Sequence, residues 1–97
     1  MTTTIERTPT VHCINALSDL VHSARRLATR AELADAARLH RVAVSIADTL
    51  DRARTRLVED GDEYLDAAWA FVDAGRKHVA QLGIRVDRKE ARHGHAA

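Results

Sequence analysis

The sequence predicts an all-α protein, and three observations carry that prediction. Apolar residues recur at alternating steps of three and four along most of the chain, which is the period of one helix face. The 97 residues include only one proline and four glycines, so few residues interrupt a helix. Hydrophobic residues make up 45% of the chain but only three are aromatic, so the core must consist mainly of Ala, Leu, Val and Ile, which suits closely packed helices.

The first helix is predicted over residues 9–28, after a disordered N-terminus at residues 1–7. Thr8 is suited to the N-cap and Pro9 to the first helical position, where its missing N–H has no helical partner to lose. Cys13 lies beside the apolar stripe and is expected to pack as a small core hydrophobe. The stripe consists of Ile14, Leu17, Val21, Ala24 and Ala28.

The second helix, predicted over residues 31–60, is the centre of the expected fold. Thr29 and Glu32 match a capping box, which places a turn between the first two helices at residues 28–30. A single bent helix is the alternative, because no glycine or proline marks that turn. Gly61 suits the C-cap of the second helix. The stripe consists of Ala36, Leu39, Ala43, Ile46, Leu50, Ala53 and Leu57.

A second apolar row on this helix predicts a further set of neighbours. It lies roughly 100° around the helix from the first stripe. At about 28 residues, the second helix would also overhang its partners by roughly 12 Å. We therefore expect the three-helix antiparallel bundle to dimerise into a six-helix assembly with a two-fold axis. The second row consists of Leu33, Ala37, Val44 and Ala47.

The third helix is predicted over residues 63–82, and residues 8–86 form one domain. Gly83 and Ile84 fit a Schellman cap at its C-terminus. Gly75 lies on the apolar stripe in mid-helix, where we expect it to permit close approach of another helix. Residues 87–97 are charged and small, and are predicted to form a flexible tail. The stripe consists of Leu65, Ala68, Val72, Gly75, Val79 and Leu82.

The composition gives no support to several classes of protein. Fifteen basic and 14 acidic residues give a net charge of +1, which provides no general attraction to nucleic acid or membranes. The one cysteine excludes an internal disulfide. We identify no signal peptide and no apolar run of about 18 residues, so a cytoplasmic location without membrane contact is expected.

The sequence contains no constellation that predicts catalysis. The six histidines include no helical pair spaced for zinc, and neither a Gly-rich phosphate loop nor a Gly-x-Ser-x-Gly motif occurs. Asp60 and Asp62 resemble the start of a calcium loop, but Leu65 and Phe71 stand where that loop needs Gly and Glu. We therefore expect no enzymatic activity, no metal and no cofactor.

Six residues are candidates for binding a partner protein. His40 lies on the second apolar row of the second helix, and the three aromatic residues all lie on the third. Aromatic side chains on one helix face can anchor a partner helix. The alternative for all of these positions is core packing or a dimer contact. The candidates are His40, Val44, Tyr64, Trp69, Phe71 and His78.

A cluster of arginines around the first turn suggests an alternative function in nucleic-acid binding. These cations could contact phosphates, although the second helix is too long and too apolar for a recognition helix. The second turn is acidic, so opposite charges at the two ends could also guide self-association. The cluster consists of Arg25, Arg26, Arg30, Arg38 and Arg41.

The sequence favours a small protein–protein interaction module, acting as a homodimeric adaptor or regulator. Its expected partners are a second copy and another protein, and the motivation is the surplus apolar surface on the second and third helices. Nucleic-acid binding is the first alternative. A small-ligand site between helices, built from Arg54, His40 and Tyr64, is the second.

Overall fold

Three α-helices run up, down and up along one axis in the computed structural model, which describes residues 2–96, with side chains for residues 9–93. Helix α1 spans Thr2–Leu33, α2 spans Ala37–Asp60 and α3 spans Leu65–Ala96, and a 3-10 turn at Gly61–Tyr64 joins α2 to α3. This part of the chain contains no strand. The predicted all-α bundle is therefore confirmed.

The apolar stripe of α2 forms the centre of the core, as predicted. Six of its seven residues are buried, and Ile46 is half-buried. The heptad spacing keeps these residues on one face, so α1 and α3 can both pack against it. The six buried residues are Ala36, Leu39, Ala43, Leu50, Ala53 and Leu57.

The bundle is a narrow rod with extents of 59 × 19 × 16 Å. Its radius of gyration is 16.0 Å, against about 12.5 Å for a compact domain of this length. The core divides into two clusters along the axis. One contains Cys13, Leu17 and Leu57 near the second turn, and the other contains Leu82 and Val86 near the first turn. A rod this narrow leaves each helix with a broad face outside the core.

The predicted start and end of the first helix are wrong. Helix α1 begins at Thr2, so Pro9 lies inside it, where its missing N–H leaves one helical hydrogen bond unmade. Thr29 does not cap α2, because it lies inside α1 and its hydroxyl donates to the Arg25 carbonyl at 3.3 Å. Residues 2–7, predicted to be disordered, are helical. Met1 and Ala97 lie outside the described residues.

The first turn comes at residues 34–36 and forms a Schellman cap. The Ala36 N–H donates to the Ala31 carbonyl at 2.8 Å, and the Asp35 N–H donates to the Glu32 carbonyl at 3.0 Å. Asp35 has φ of 58°, the left-handed conformation that glycine usually supplies at this position. Ala31 and Ala36 are both buried, which provides the apolar contact of the motif.

The first turn comes later in the chain than predicted, so the second helix is shorter and does not overhang its neighbours. Helix α2 has 24 residues, and α1 and α3 have 32 each, so α2 is the shortest helix. Leu33 belongs to α1 and is 75% exposed. Of the predicted second row, Ala37 and Val44 are exposed and only Ala47 is buried. The overhang therefore gives no argument for a dimer.

Helix α3 passes through the predicted stop at Gly83. Residues 87–96 are helical rather than a flexible tail. Val86 is fully buried against the first-turn cluster, and Ile84 is exposed instead of forming a cap contact. Burial of Val86 stabilises the continued helix by about 1.5–3 kcal/mol, which outweighs the helix cost of about 1 kcal/mol at Gly83.

The predicted turn at Gly61 is confirmed. Its φ of 64° and ψ of −140° lie in a region that side-chain-bearing residues rarely adopt, and its N–H donates to the Leu57 carbonyl. The glycine thus ends α2 and directs the chain into the 3-10 turn.

Gly75 and Gly83 provide a matched test of helix packing. A Cβ at Gly83 would meet no atom within 4 Å, so Gly83→Ala is expected to raise the free energy of unfolding by about 1 kcal/mol. A Cβ at Gly75 would lie 2.9 Å from a Leu50 methyl and 3.2 Å from a Leu20 methyl. Overpacking should cancel the gain there, leaving Gly75→Ala at least about 1 kcal/mol less stable than Gly83→Ala in urea denaturation. Equal gains in both variants would contradict the close approach.

None of the described helices is both long enough and apolar enough to cross a membrane.

Candidate functional site

The groove between α2 and α3 contains an apolar depression at its middle, called here the central depression. It has a volume of about 350 Å³. Its apolar lining comes from both helices, and Ser45, Thr49 and His78 contribute polar atoms. The apolar residues are Val42, Ile46 and Leu50 from α2, and Phe71, Ala74 and Gly75 from α3.

Gly75 lies in the wall of the central depression, at the point where α3 passes Leu50. A Cβ on Gly75 would lie only 2.9 Å from a Leu50 methyl, so the glycine permits this close approach of the two helices. Phe71, one helical turn earlier, is half-buried and packs against the core with part of its ring exposed. Val42, which lines the same depression from α2, is 38% exposed. The result is an apolar hollow that the monomer does not fill.

A second depression, called here the basic cleft, follows along the same groove at the first-turn end. It has a volume of about 460 Å³ and is lined by five cationic residues beside Asp35 and the N-terminus of α2. Helix α2 begins at Ala37, and its N-cap residue Ala36 provides no side-chain cap, so the N-terminus of the helix adds partial positive charge. None of the five cations forms an ion pair with a carboxylate in the described part of the chain. They are Arg38, Arg85, Arg88, Lys89 and Arg92.

The C-terminal half of α3 separates its charges between two faces. Asp87 and Glu90 face α1, where both pair with Arg30, whose Nε donates to Glu90 Oε2 at 3.0 Å. Hydrogen bonding from this guanidinium lowers the pKa of Glu90. Because Asp87 and Glu90 are held against α1, Asp35 is the one carboxylate beside five cations among the residues that line the basic cleft.

The opposite end of the rod carries the acidic turn, defined by five carboxylates between residues 59 and 66. Only Asp60 forms an ion pair within the described chain, with Arg56 Nε at 2.9 Å. The Arg56 guanidinium also lies 5.2 Å from the centre of the Tyr64 ring. The Thr10 hydroxyl donates to Asp62 at 2.6 Å and joins α1 to this turn. The carboxylates are Glu59, Asp60, Asp62, Glu63 and Asp66.

The structure places two of the six predicted partner-binding residues in the central depression. Phe71 and His78 both line the central depression. Tyr64 lies at the acidic turn under Arg56. Trp69, two residues before Phe71, is rotated about 200° from it, so it lies on the opposite edge of the buried face of α3.

His40 and Val44 do not line the central depression. They line a shallow polar depression next to it on α2, and Ser45 and Thr49 border both. His40 is half-buried, and its Nδ1–H donates to the Ala28 carbonyl of α1 at 2.8 Å. The imidazole therefore joins α1 to α2, in agreement with the packing alternative.

The predicted arginine cluster does not form one surface. Arg38 lies in the basic cleft, Arg41 lies in the polar depression, and Arg30 is paired with Asp87 and Glu90. Arg25 and Arg26 are exposed on α1, and Arg26 borders the groove between α1 and α3. The arginines that are neighbours in sequence thus point in different directions.

Sequence reasoning missed the four α3 cations of the basic cleft. They lie at or beyond Arg85, in the region taken for the end of a domain and a flexible tail. The available signal was their spacing, because Arg85, Lys89 and Arg92 follow steps of four and three and must share one face of a continuous helix. The apparent stop at Gly83 concealed that pattern.

The residues suggested for a small-ligand site do not meet in the interior. Arg54 donates to Ser18 Oγ at 3.2 Å and pairs with Asp51 at the side of α2. No polar side chain is buried among the described residues, and no group of three potential ligands is arranged there for a metal. Burial raises the pKa of the Cys13 thiol, as expected for a core residue rather than a nucleophile.

The chain matches no protein-family model, no curated protein and no solved structure.

Proposed function

We propose that this chain is a protein–protein interaction module that binds a helix along the groove between α2 and α3. The observation that carries the proposal is the central depression, an apolar hollow lined by the half-buried Phe71. Amphipathic helices bind in grooves of this kind by placing apolar side chains into a hollow. Phe71 is the anchor in this proposal, since aromatic residues supply most of the energy of many interfaces.

The charges beside the central depression select the partner helix. The basic cleft continues the groove toward the first turn, and its cations have no acidic partners in the described chain. A helix with acidic residues beyond its apolar ones would satisfy both parts of the groove. Such electrostatic complementarity favours one orientation and disfavours basic partners.

Replacing Phe71 with glutamate is the test of this proposal. The substitution places a charge in the apolar hollow and should weaken any association through the groove by at least about 10-fold. Val11→Glu is the matched control, because Val11 is 47% exposed on α1 and lies outside the groove. Light scattering over a concentration range measures self-association of both variants, and circular dichroism checks that both stay helical.

A labelled helix probe extends the test to a chain that stays monomeric. The probe is a synthetic 20-residue peptide with leucines on one helical face and glutamates elsewhere, and a scrambled peptide of the same composition is its control. The proposal expects either self-association or selective binding of the patterned peptide, lost in Phe71→Glu and retained in Val11→Glu. The proposal is contradicted if self-association is unchanged in Phe71→Glu, or if the chain is monomeric and does not bind the patterned peptide in preference to the scrambled one.

A further inference from the structure

We infer that the groove between α2 and α3 is occupied by a second copy of this chain, lying antiparallel to the first, with a two-fold axis near Gly75. The inference rests on the proposed function and names the partner. In this arrangement α2 and α3 of both copies form a four-helix layer. Each basic cleft then lies beside the acidic turn of the other copy.

The positions of the charges along the rod support this register. Lys89 lies 14 residues after Gly75, and Gly61, within the acidic turn, lies 14 residues before it. At 1.5 Å per residue Lys89 lies about 21 Å from Gly75 along α3. Leu65, where α3 begins beside the acidic turn, lies about 15 Å from Gly75 in the other direction. A two-fold axis at Gly75 and perpendicular to the rod therefore brings the two regions to the same level on opposite copies.

Charge complementarity favours antiparallel over parallel pairing. The cations of the basic cleft have no ion-pair partner among the described residues of their own chain, and Glu59 and Glu63 likewise form none there. Antiparallel copies place these groups together at both ends of the interface. Parallel copies would place cleft against cleft and acidic turn against acidic turn, which is repulsive at both ends.

The shape of the rod favours side-by-side contact. A face of 59 by 16 Å has about 940 Å², whereas the end of the rod has only about 300 Å². A stable interface usually buries about 800 Å² per partner. Only a lateral contact along most of the rod reaches that area, and the groove with the central depression at its middle runs in that direction.

The central depression suits a two-fold contact because the residues that line it lie near the proposed axis. Phe71 precedes Gly75 by four residues, or about 6 Å along the helix, so the two phenyl rings lie on either side of the axis. Each ring can enter the hollow of the other copy beside Val42 and Ala74. This removes the exposed apolar surface of both copies in one contact.

Cross-linking of single-cysteine variants tests the orientation. Ala74→Cys lies in the groove near the axis and is expected to form a disulfide with its own copy under mild oxidation. Lys89→Cys is expected not to, because its two copies lie about 42 Å apart in the antiparallel arrangement. The native Cys13 is buried and does not compete. Light scattering should give about 21 kDa for the associated protein, twice the 10.7 kDa of the chain.

Charge reversal provides an independent test of the pairing. One variant carries Arg85→Glu and Lys89→Glu, and the other carries Glu59→Lys and Glu63→Lys. Each alone is expected to dimerise at least about 10-fold more weakly, since like charges then meet. Mixing them should restore dimerisation to within about threefold of the native protein, because only the mixed pair is complementary at both ends.

The outcomes separate this inference from the proposed function. A monomer at all concentrations that binds the patterned peptide through Phe71 overturns the second-copy inference and leaves the helix-binding function intact. Self-association lost in Phe71→Glu, with Lys89→Cys linking to its own copy, overturns the antiparallel arrangement. Self-association unaffected by Phe71→Glu overturns both.

Discussion

Replacing Leu57 with alanine is expected to lower the free energy of unfolding by about 2–5 kcal/mol. Leu57 is fully buried in the cluster near the second turn, where it packs with Leu17 and Val72. The rod is one layer of side chains thick between three helices, so few neighbours can move to fill the cavity. The loss is a large fraction of the 5–15 kcal/mol that stabilises a typical domain.

The adjacent residue provides the control for this substitution. Val58 is 65% exposed, so Val58→Ala is expected to change the free energy of unfolding by less than about 0.5 kcal/mol. Both substitutions place alanine on α2 and differ mainly in burial. Urea denaturation followed by circular dichroism measures the two values, and similar losses for both variants would contradict the position of the core.

The buried face of each helix could be predicted because it depends on a period. The steps of three and four along α2 place one set of residues against both neighbouring helices, regardless of where α2 begins and ends. Leu39, Leu50 and Leu57 were identified in this way and are buried. The same reasoning did not predict the environment of the second apolar row, because an apolar residue such as Val44 can still face outward, here at 39% exposure.

The ends of the helices could not be predicted because several local signals competed. Thr29 and Glu32 have the chemistry of a cap, but in a helix Thr29 satisfies its hydroxyl with the Arg25 carbonyl instead. The true turn uses Asp35 in a left-handed conformation, which the sequence does not distinguish from many other aspartates. Tertiary packing, rather than local preference, selected among these signals.

The candidate site was predicted in its apolar part only. Phe71 and His78 are spaced by one heptad, so they had to share a face, and both line the central depression. The basic cleft could not be predicted, because its charge depends on ion pairs between Arg30 and both Asp87 and Glu90. These pairs span about 60 positions of sequence and hold the two carboxylates away from the cleft. The periodic pattern of a sequence does not predict contacts at such a sequence separation.

Removal of residues 84–97 is expected to lower the free energy of unfolding by about 3 kcal/mol or more. Val86 is fully buried, and its burial contributes about 1.5–3 kcal/mol. The deletion also exposes Leu39 and Ala36, which share the first-turn cluster with Val86, and leaves Arg30 without its two carboxylates. The comparison is urea denaturation of the full and shortened chains.

A shorter deletion and a point substitution separate packing from chain length. Removing residues 94–97 leaves Val86 and Glu90 in place and should change the free energy of unfolding by less than about 0.5 kcal/mol. Val86→Ala keeps the whole helix and should still cost roughly 1–2 kcal/mol, since two buried methyl groups are lost at about 0.8 kcal/mol each. A flexible tail after Leu82 would make all three changes neutral. Because Val86 packs against both turn and helix start, a graded loss would instead show that α3 holds the first turn, and with it the basic cleft, in place.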